Sequence, residues 1–156
     1  MKRVVLITAV VLFLIPLLAQ TARKSEVFSS SQIQAQIQSL ASQAAPSGGS
    51  GATLADYGSH KLQLSVRTKT GGAEIHAHFD DVMIVEQGSA TLMTGGSLLN
   101  PTTGPDGESK GSGIRDGKSQ TISAGDVITV NAGIPHQLII PDNSTYSALV
   151  IKVREP

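Results

Sequence analysis

Between residues 60 and 66 the chain alternates strictly, with Leu62, Leu64 and Val66 separated by Lys61, Gln63 and Ser65. A period of two puts the apolar side chains on one face of a half-buried strand, and that face is expected to meet the core. Further short strands are predicted at Glu74 to His78, Val82 to Val85, Ala90 to Met93, Thr121-Ile122, Val127 to Val130, Pro135 to Ile140 and Tyr146 to Val153. Turn chemistry divides them at Glu86-Gln87-Gly88, Gly95-Gly96, Ala124-Gly125-Asp126, Asn131-Ala132-Gly133 and Pro141-Asp142-Asn143-Ser144. Short strands at such regular spacing predict an all-β sandwich or barrel.

Two stretches depart from that period. Over residues 25–45, Ile33, Ile37, Leu40, Ala41 and Ala44 recur at spacings of three and four, with Gln and Ser filling the other face. This predicts an amphipathic helix, capped by Ser29, Ser30 or Ser31 and packed as an arm on the barrel, with a homodimer contact as the alternative. Pro46-Ser47-Gly48-Gly49-Ser50-Gly51 reads as a linker after it. Residues 94–120 contain seven glycines, Pro101 and Pro105, and read as a long loop: a lid over the barrel mouth, a surface excursion or a small extra hairpin.

The N-terminus predicts export. Met1-Lys2-Arg3 is a short basic region, Val4 to Ala19 is an apolar run, and small residues follow at Ala19 and Ala22. That is the pattern of a secretory signal peptide, and the run is short for a bilayer span, so membrane attachment is expected only if the segment is not cleaved. The domain organisation expected is a signal peptide over residues 1–22, a helical arm and linker over 23–51, and one β-barrel over 52–156.

Composition narrows the chemistry. The 156 residues include 40% hydrophobics but only 3% aromatics and no Trp, so the core is aliphatic. Twelve basic and twelve acidic residues cancel, and no basic cluster or aromatic platform is present to support nucleic-acid binding. Loss of residues 1–22 removes Lys2 and Arg3 and leaves a net charge of −2. There is no Cys, so no disulfide holds the fold.

His76-Ala77-His78 on a predicted strand would project both imidazoles from one face, with Asp80 and Asp81 close behind. Imidazoles and carboxylates are ligands that Mn, Fe, Zn, Ni and Cu accept. His136 shares its parity with Leu138 and Ile140 and so lies on an inward face, where its nitrogens need a partner or a metal. His60 is placed at the start of its strand, and Arg67, Glu74, Gln137 and Lys152 read as ordinary polar residues of a β surface. No nucleophile elbow, P-loop or dinucleotide fingerprint is present.

The segment from Gly72 to Gly88, GAEIHAHFDDVMIVEQG, resembles the first cupin motif, an HxH followed by an acidic ligand and a closing Gly. Gly125 to His136, GDVITVNAGIPH, is similar to the second. The resemblance covers residues 60–153 and implies a cupin-like jelly-roll β-barrel carrying an N-terminal amphipathic helix. It also implies a divalent transition metal inside the barrel's wider end, on His76, His78 and His136, with Asp81 as fourth ligand or base. Asp81 stands where the family usually has Glu, one residue short of the usual spacing from His78. Three His with open positions and three His plus Asp81 therefore both fit. Within the superfamily the chain is most similar to small, exported, single-cupin bacterial proteins with a Glu-x-His…Asp-Asp-Val segment and a Gly-rich spacer. HxHxD also begins a metallo-β-lactamase signature, but position 81 is not His and no alternating strand–helix pattern follows. Two function classes result: metal chemistry on a small molecule, or a binding module for a sugar or acid with no essential metal.

Overall fold

The computed structural model describes residues 25–156; the leader assigned to residues 1–22 lies outside them. The helix α1 runs Ser30–Ser47. Ser29 caps it: its hydroxyl accepts the Gln32 N–H, while the Gln32 side chain accepts the Ser29 N–H at 2.9 Å. Gly48, at φ 90°, ends it by donating its N–H to the Ala44 carbonyl at 2.7 Å.

Thirteen strands follow. The first five are β1 (Gly49–Asp56), β2 (His60–Arg67), β3 (Ala73–Ile75), β4 (Phe79–Gln87) and β5 (Ser89–Thr94). Four short ones come next: β6 (Ser97–Leu99), β7 (Thr102–Thr103), β8 (Ser109–Gly111) and β9 (Gly113–Arg115). The last four are β10 (Lys118–Ser123), β11 (Val127–Val130), β12 (His136–Ile139) and β13 (Tyr146–Arg154). They form a five-stranded sheet in the order β1-β2-β13-β4-β11, a six-stranded sheet β10-β5-β12-β3-β8-β7, and a ribbon β6-β9. Met83, Val85, Leu92, Ile122, Tyr146 and Val150, drawn from both large sheets, belong to one hydrophobic, mostly aliphatic core.

Three sequence expectations are corrected here. Residues 46–51 are not a linker: Pro46 and Ser47 finish α1, and Gly49 already pairs with Arg67 in β1. The glycines serve close approach, since a Cβ on Gly51 would lie 2.8 Å from the Leu64 carbonyl oxygen. Residues 94–120 are not one long loop; of the alternatives the small extra hairpin comes nearest, since β6 pairs with β9 as an antiparallel ribbon while β8 joins β3. Glu74 to His78 is not one strand, because β3 stops at Ile75.

The alternation over residues 60–66 is real, but its two faces have exchanged roles. Leu64 and Val66 pack against Ile37, Leu40 and Ala44 of α1, in a second core outside the barrel. Burying each such side chain contributes about 1.5–3 kcal/mol. The opposite parity (Gln63, Ser65, Arg67) therefore faces the barrel interior, where all three line a cavity. The amphipathic helix supplies an apolar partner on the outside and leaves a polar wall within.

Candidate metal centre

The site is assembled by strand register. In the β3–β12 pair His136 lies directly opposite Glu74, and His76 follows Glu74 by two residues, continuing its parity. The turn after β11 holds this segment in place: the Gly133 N–H donates to the His76 carbonyl at 2.9 Å, and the Ala132 N–H donates to Asp80 Oδ1 at 2.7 Å. Glu74, His76 and His136 each bring one ligand atom to within 4.8 Å of the others. His76 Nε2 is 3.8 Å and His136 Nε2 is 3.6 Å from Glu74 Oε1.

Both rings are turned by an acceptor at the far nitrogen. His76 Nδ1 is 2.5 Å from Glu108 Oε2, and His136 Nδ1 is 3.1 Å from the Ile134 carbonyl oxygen. With Nδ1–H donated in each case, each Nε2 is the nitrogen left facing the Glu74 carboxylate, carrying a proton when the ring is charged and offering a lone pair when it is neutral. His76 Nε2 is buried and makes no hydrogen bond, although Asp81 Oδ2 lies 3.3 Å away. An orphaned imidazole nitrogen facing a carboxylate and a second imidazole is a donor set that fits a divalent transition metal.

The electrostatics are concentrated at the same place. His136 above all, and His76 beside it, hold the Glu74 carboxyl down to about 2 against the effect of burial. Burial works against a charged His76, yet the Asp81 and Glu108 carboxylates outweigh it and raise its pKa. Burial alone would likewise raise Asp81; His76 and Lys152 outweigh it and lower its pKa. Lys152 stands opposite Asp81 in the β4–β13 register and its Nζ is 2.6 Å from Asp81 Oδ1.

No protein-family model matches the chain, and no curated protein sequence is detectably similar to it. Solved structures are similar in fold. A double-stranded β-helix domain protein from Klebsiella pneumoniae superposes with a TM-score of 0.57 at 12% identity, over 83% of this chain and 90% of that one. A protein from Thermus thermophilus follows at 0.52 and 14%, over 71% and 88%. The double-stranded β-helix is the barrel of the cupins. The chain has the cupin fold. A cupin-2 domain protein from Rhodospirillum rubrum is also similar, with a TM-score of 0.49 and 15% identity over 70% and 63% of the two chains.

On this cupin barrel the expected residues divide. His76 and His136 come together, and Asp81 lies beside them in a cross-strand ion pair with Lys152. His78 is not in the cluster. The chain bends at Ala77 and His78, so the His78 side chain does not continue the Glu74–His76 parity; it lines an adjoining depression together with His76, Glu108, Lys152 and Arg154. Glu74 occupies the place expected of a histidine. With His76 as the second member of the motif, four residues separate it from Asp81, so the one-residue shortfall counted from His78 disappears.

Arg67, Glu74, Gln137 and Lys152 are likewise not surface polars; all four line a cavity of about 450 Å³ together with His76 and His136. The signal for Glu74 was its parity with His76. Glu108 carried no such signal, since it arrives from the segment just before β8 and reaches His76 only through the β3–β8 pairing. His60 begins β2, as expected, and stacks beside Tyr57 at a centroid distance of 4.9 Å.

Proposed function

We propose that this cupin is a metal-dependent enzyme acting on a small molecule, with a divalent transition metal (Mn, Fe, Zn, Ni or Cu) held by Glu74, His76 and His136. The observation that carries this reading is the pair of imidazoles whose Nδ1–H groups are spent on Glu108 and Ile134, leaving both Nε2 atoms facing Glu74. Three protein ligands with two nitrogens and one carboxylate recur in metal sites that keep coordination positions open. A bound ion supplies Lewis acidity and open positions for substrate.

The remaining residues have roles of their own. Glu108 fixes the His76 tautomer. Asp81, kept ionised by Lys152, stands next to the centre as a proton acceptor, and Lys152 can return a proton. Met83, Leu138, Ala148 and Val150 give the cavity an apolar wall that limits water.

Elemental analysis of the purified full-length protein tests the reading. About one transition-metal ion per chain is expected, falling sharply in Glu74→Gln and His136→Ala. Protein that takes up no metal on reconstitution would refute it.

Export is part of the same proposal, supported by the basic and apolar leader pattern of residues 1–22. Mass spectrometry of protein recovered outside the cytoplasm would then show a chain shortened at its N-terminus near Ala19 to Ala22. An intact Met1 in that fraction would count against cleavage.

A further inference from the structure

The cavity runs away from the metal centre along the strand register. Lys152, Val150, Ala148 and Tyr146 on β13 stand opposite Lys61, Gln63, Ser65 and Arg67 on β2, row by row. Asp81 and Met83 of β4 continue the first two rows. The metal centre adjoins the Asp81–Lys152 row, and Arg67 lies six residues further along β2 than Lys61, the residue facing Lys152 in that row. Between them the wall is formed by Met83, Val150 and Ala148, with Gln63 and Ser65 facing them.

Two cations line this cavity, and they differ. Lys152 is neutralised by Asp81 at 2.6 Å. Arg67 has no carboxylate within 4.0 Å among the described residues. Its guanidinium lies over two glycines. A Cβ on Gly49, its cross-strand partner, would meet Arg67 Nη1 at 2.8 Å, and one on Gly71 would meet it at 3.5 Å. The neighbouring amide of Gln137 is already spent on the Gly71 carbonyl, at 2.8 Å. A planar fork of donors in a cavity, accommodated by missing side chains and without a protein counter-ion, matches a carboxylate. No Phe, Tyr or Trp lines the cavity to stack on a sugar ring.

We infer that the cavity takes an elongated organic acid, its carboxylate gripped by Arg67, its apolar body along Met83, Val150 and Ala148, and its far end at the metal centre. Only the last contact rests on the metal reading above.

Calorimetric titration of the full-length, metal-free protein with straight-chain acids from butanoate to octanoate tests the Arg67 end alone. Affinity should rise roughly fourfold per added CH₂. Octanamide should bind at least about tenfold more weakly than octanoate, and Arg67→Gln should abolish that preference while Arg67→Lys keeps part of it. Octanamide binding as tightly as octanoate, Arg67→Gln binding the acid like the wild type, or no acid binding at all would each overturn the inference. If Arg67→Gln does not fold, the acid–amide comparison on the wild type decides. Metal content is measured separately, so a chain that prefers acids through Arg67 but takes up no metal sinks the metal reading and leaves this one standing.

Discussion

His136 stands directly opposite Glu74 in the β3–β12 pair, with its Nε2 3.6 Å from Glu74 Oε1, although 62 positions of sequence separate them. The cross-strand pair anchors the candidate centre, and His76 joins it from two residues along. Changing Glu74 should therefore do what changing His78 does not. Glu74→Gln is expected to weaken metal binding at least about 100-fold, beyond the range typical of an outer partner, and His78→Ala to leave it nearly unchanged. Competition with a fluorescent chelator reads both; equal losses would return His78 to the ligand set.

Glu108 acts through His76. Glu108→Ala removes the acceptor at Nδ1 and lets the ring change tautomer, so metal affinity should fall about 10–100-fold while the barrel stays folded. Circular dichroism checks the fold, and the same chelator assay checks the metal. An unaffected affinity would mean the ring is oriented by other contacts.

The pH dependence has a definite sign. A metal must displace the proton from His76, whose pKa is raised above its ordinary 6.5, so metal affinity should decline as pH falls through that raised value. Glu74, held down to about 2, stays ionised throughout and adds no step near neutrality. Without metal the linkage runs the other way. The folded protein holds the His76 proton more tightly than the unfolded chain, a contribution complete below 6.5 and lost as pH rises through the raised value. Chemical denaturation of metal-free and metal-loaded protein between pH 6 and 9 should show opposite slopes from this group.

Asp81 and Lys152 form a largely buried pair, with side chains 6% and 19% exposed. Lys152→Ala leaves a buried carboxylate without its cation and should cost about 3–5 kcal/mol. Asp81→Asn combined with Lys152→Met should cost much less. Urea unfolding of the two variants measures the difference, and equal costs would show that the pair does not act as a unit.

The outer core predicts a large effect far from the site. Leu40→Ala opens a cavity between α1 and β2 and should cost about 2–5 kcal/mol, without changing metal content. A negligible shift in thermal unfolding would mean the helix is not an integral cover of the sheet.

Most elements were legible because backbone periodicity is local. The period of two over residues 60–66, the helical spacing of Ile33, Ile37, Leu40 and Ala44, and the turns at Gly88, Gly125 and Gly133 all depend on near neighbours. The cupin resemblance of residues 72–88 and 125–136 pointed to His76 and His136, which the structure brings together with Glu74. The glycines of residues 46–51 and 94–120 misled. A glycine that permits close strand approach and one that permits flexibility look alike until the neighbouring strand is known.

Local pattern alone was enough for the alternating strands, the capped helix and the aliphatic core, and it singled out two of the three residues that cluster in the candidate centre. Tertiary structure decided which face of each strand is inside. Alternation fixes that two faces differ but not which one meets the barrel, and α1, by covering Leu64 and Val66, turned Arg67 and Gln63 inward. Tertiary pairing also brought Glu74 to the two histidines. The chain bends at Ala77 and His78, so His76 shares its face with Glu74 rather than with His78, and the pairing with His136 brings Glu74 into the cluster.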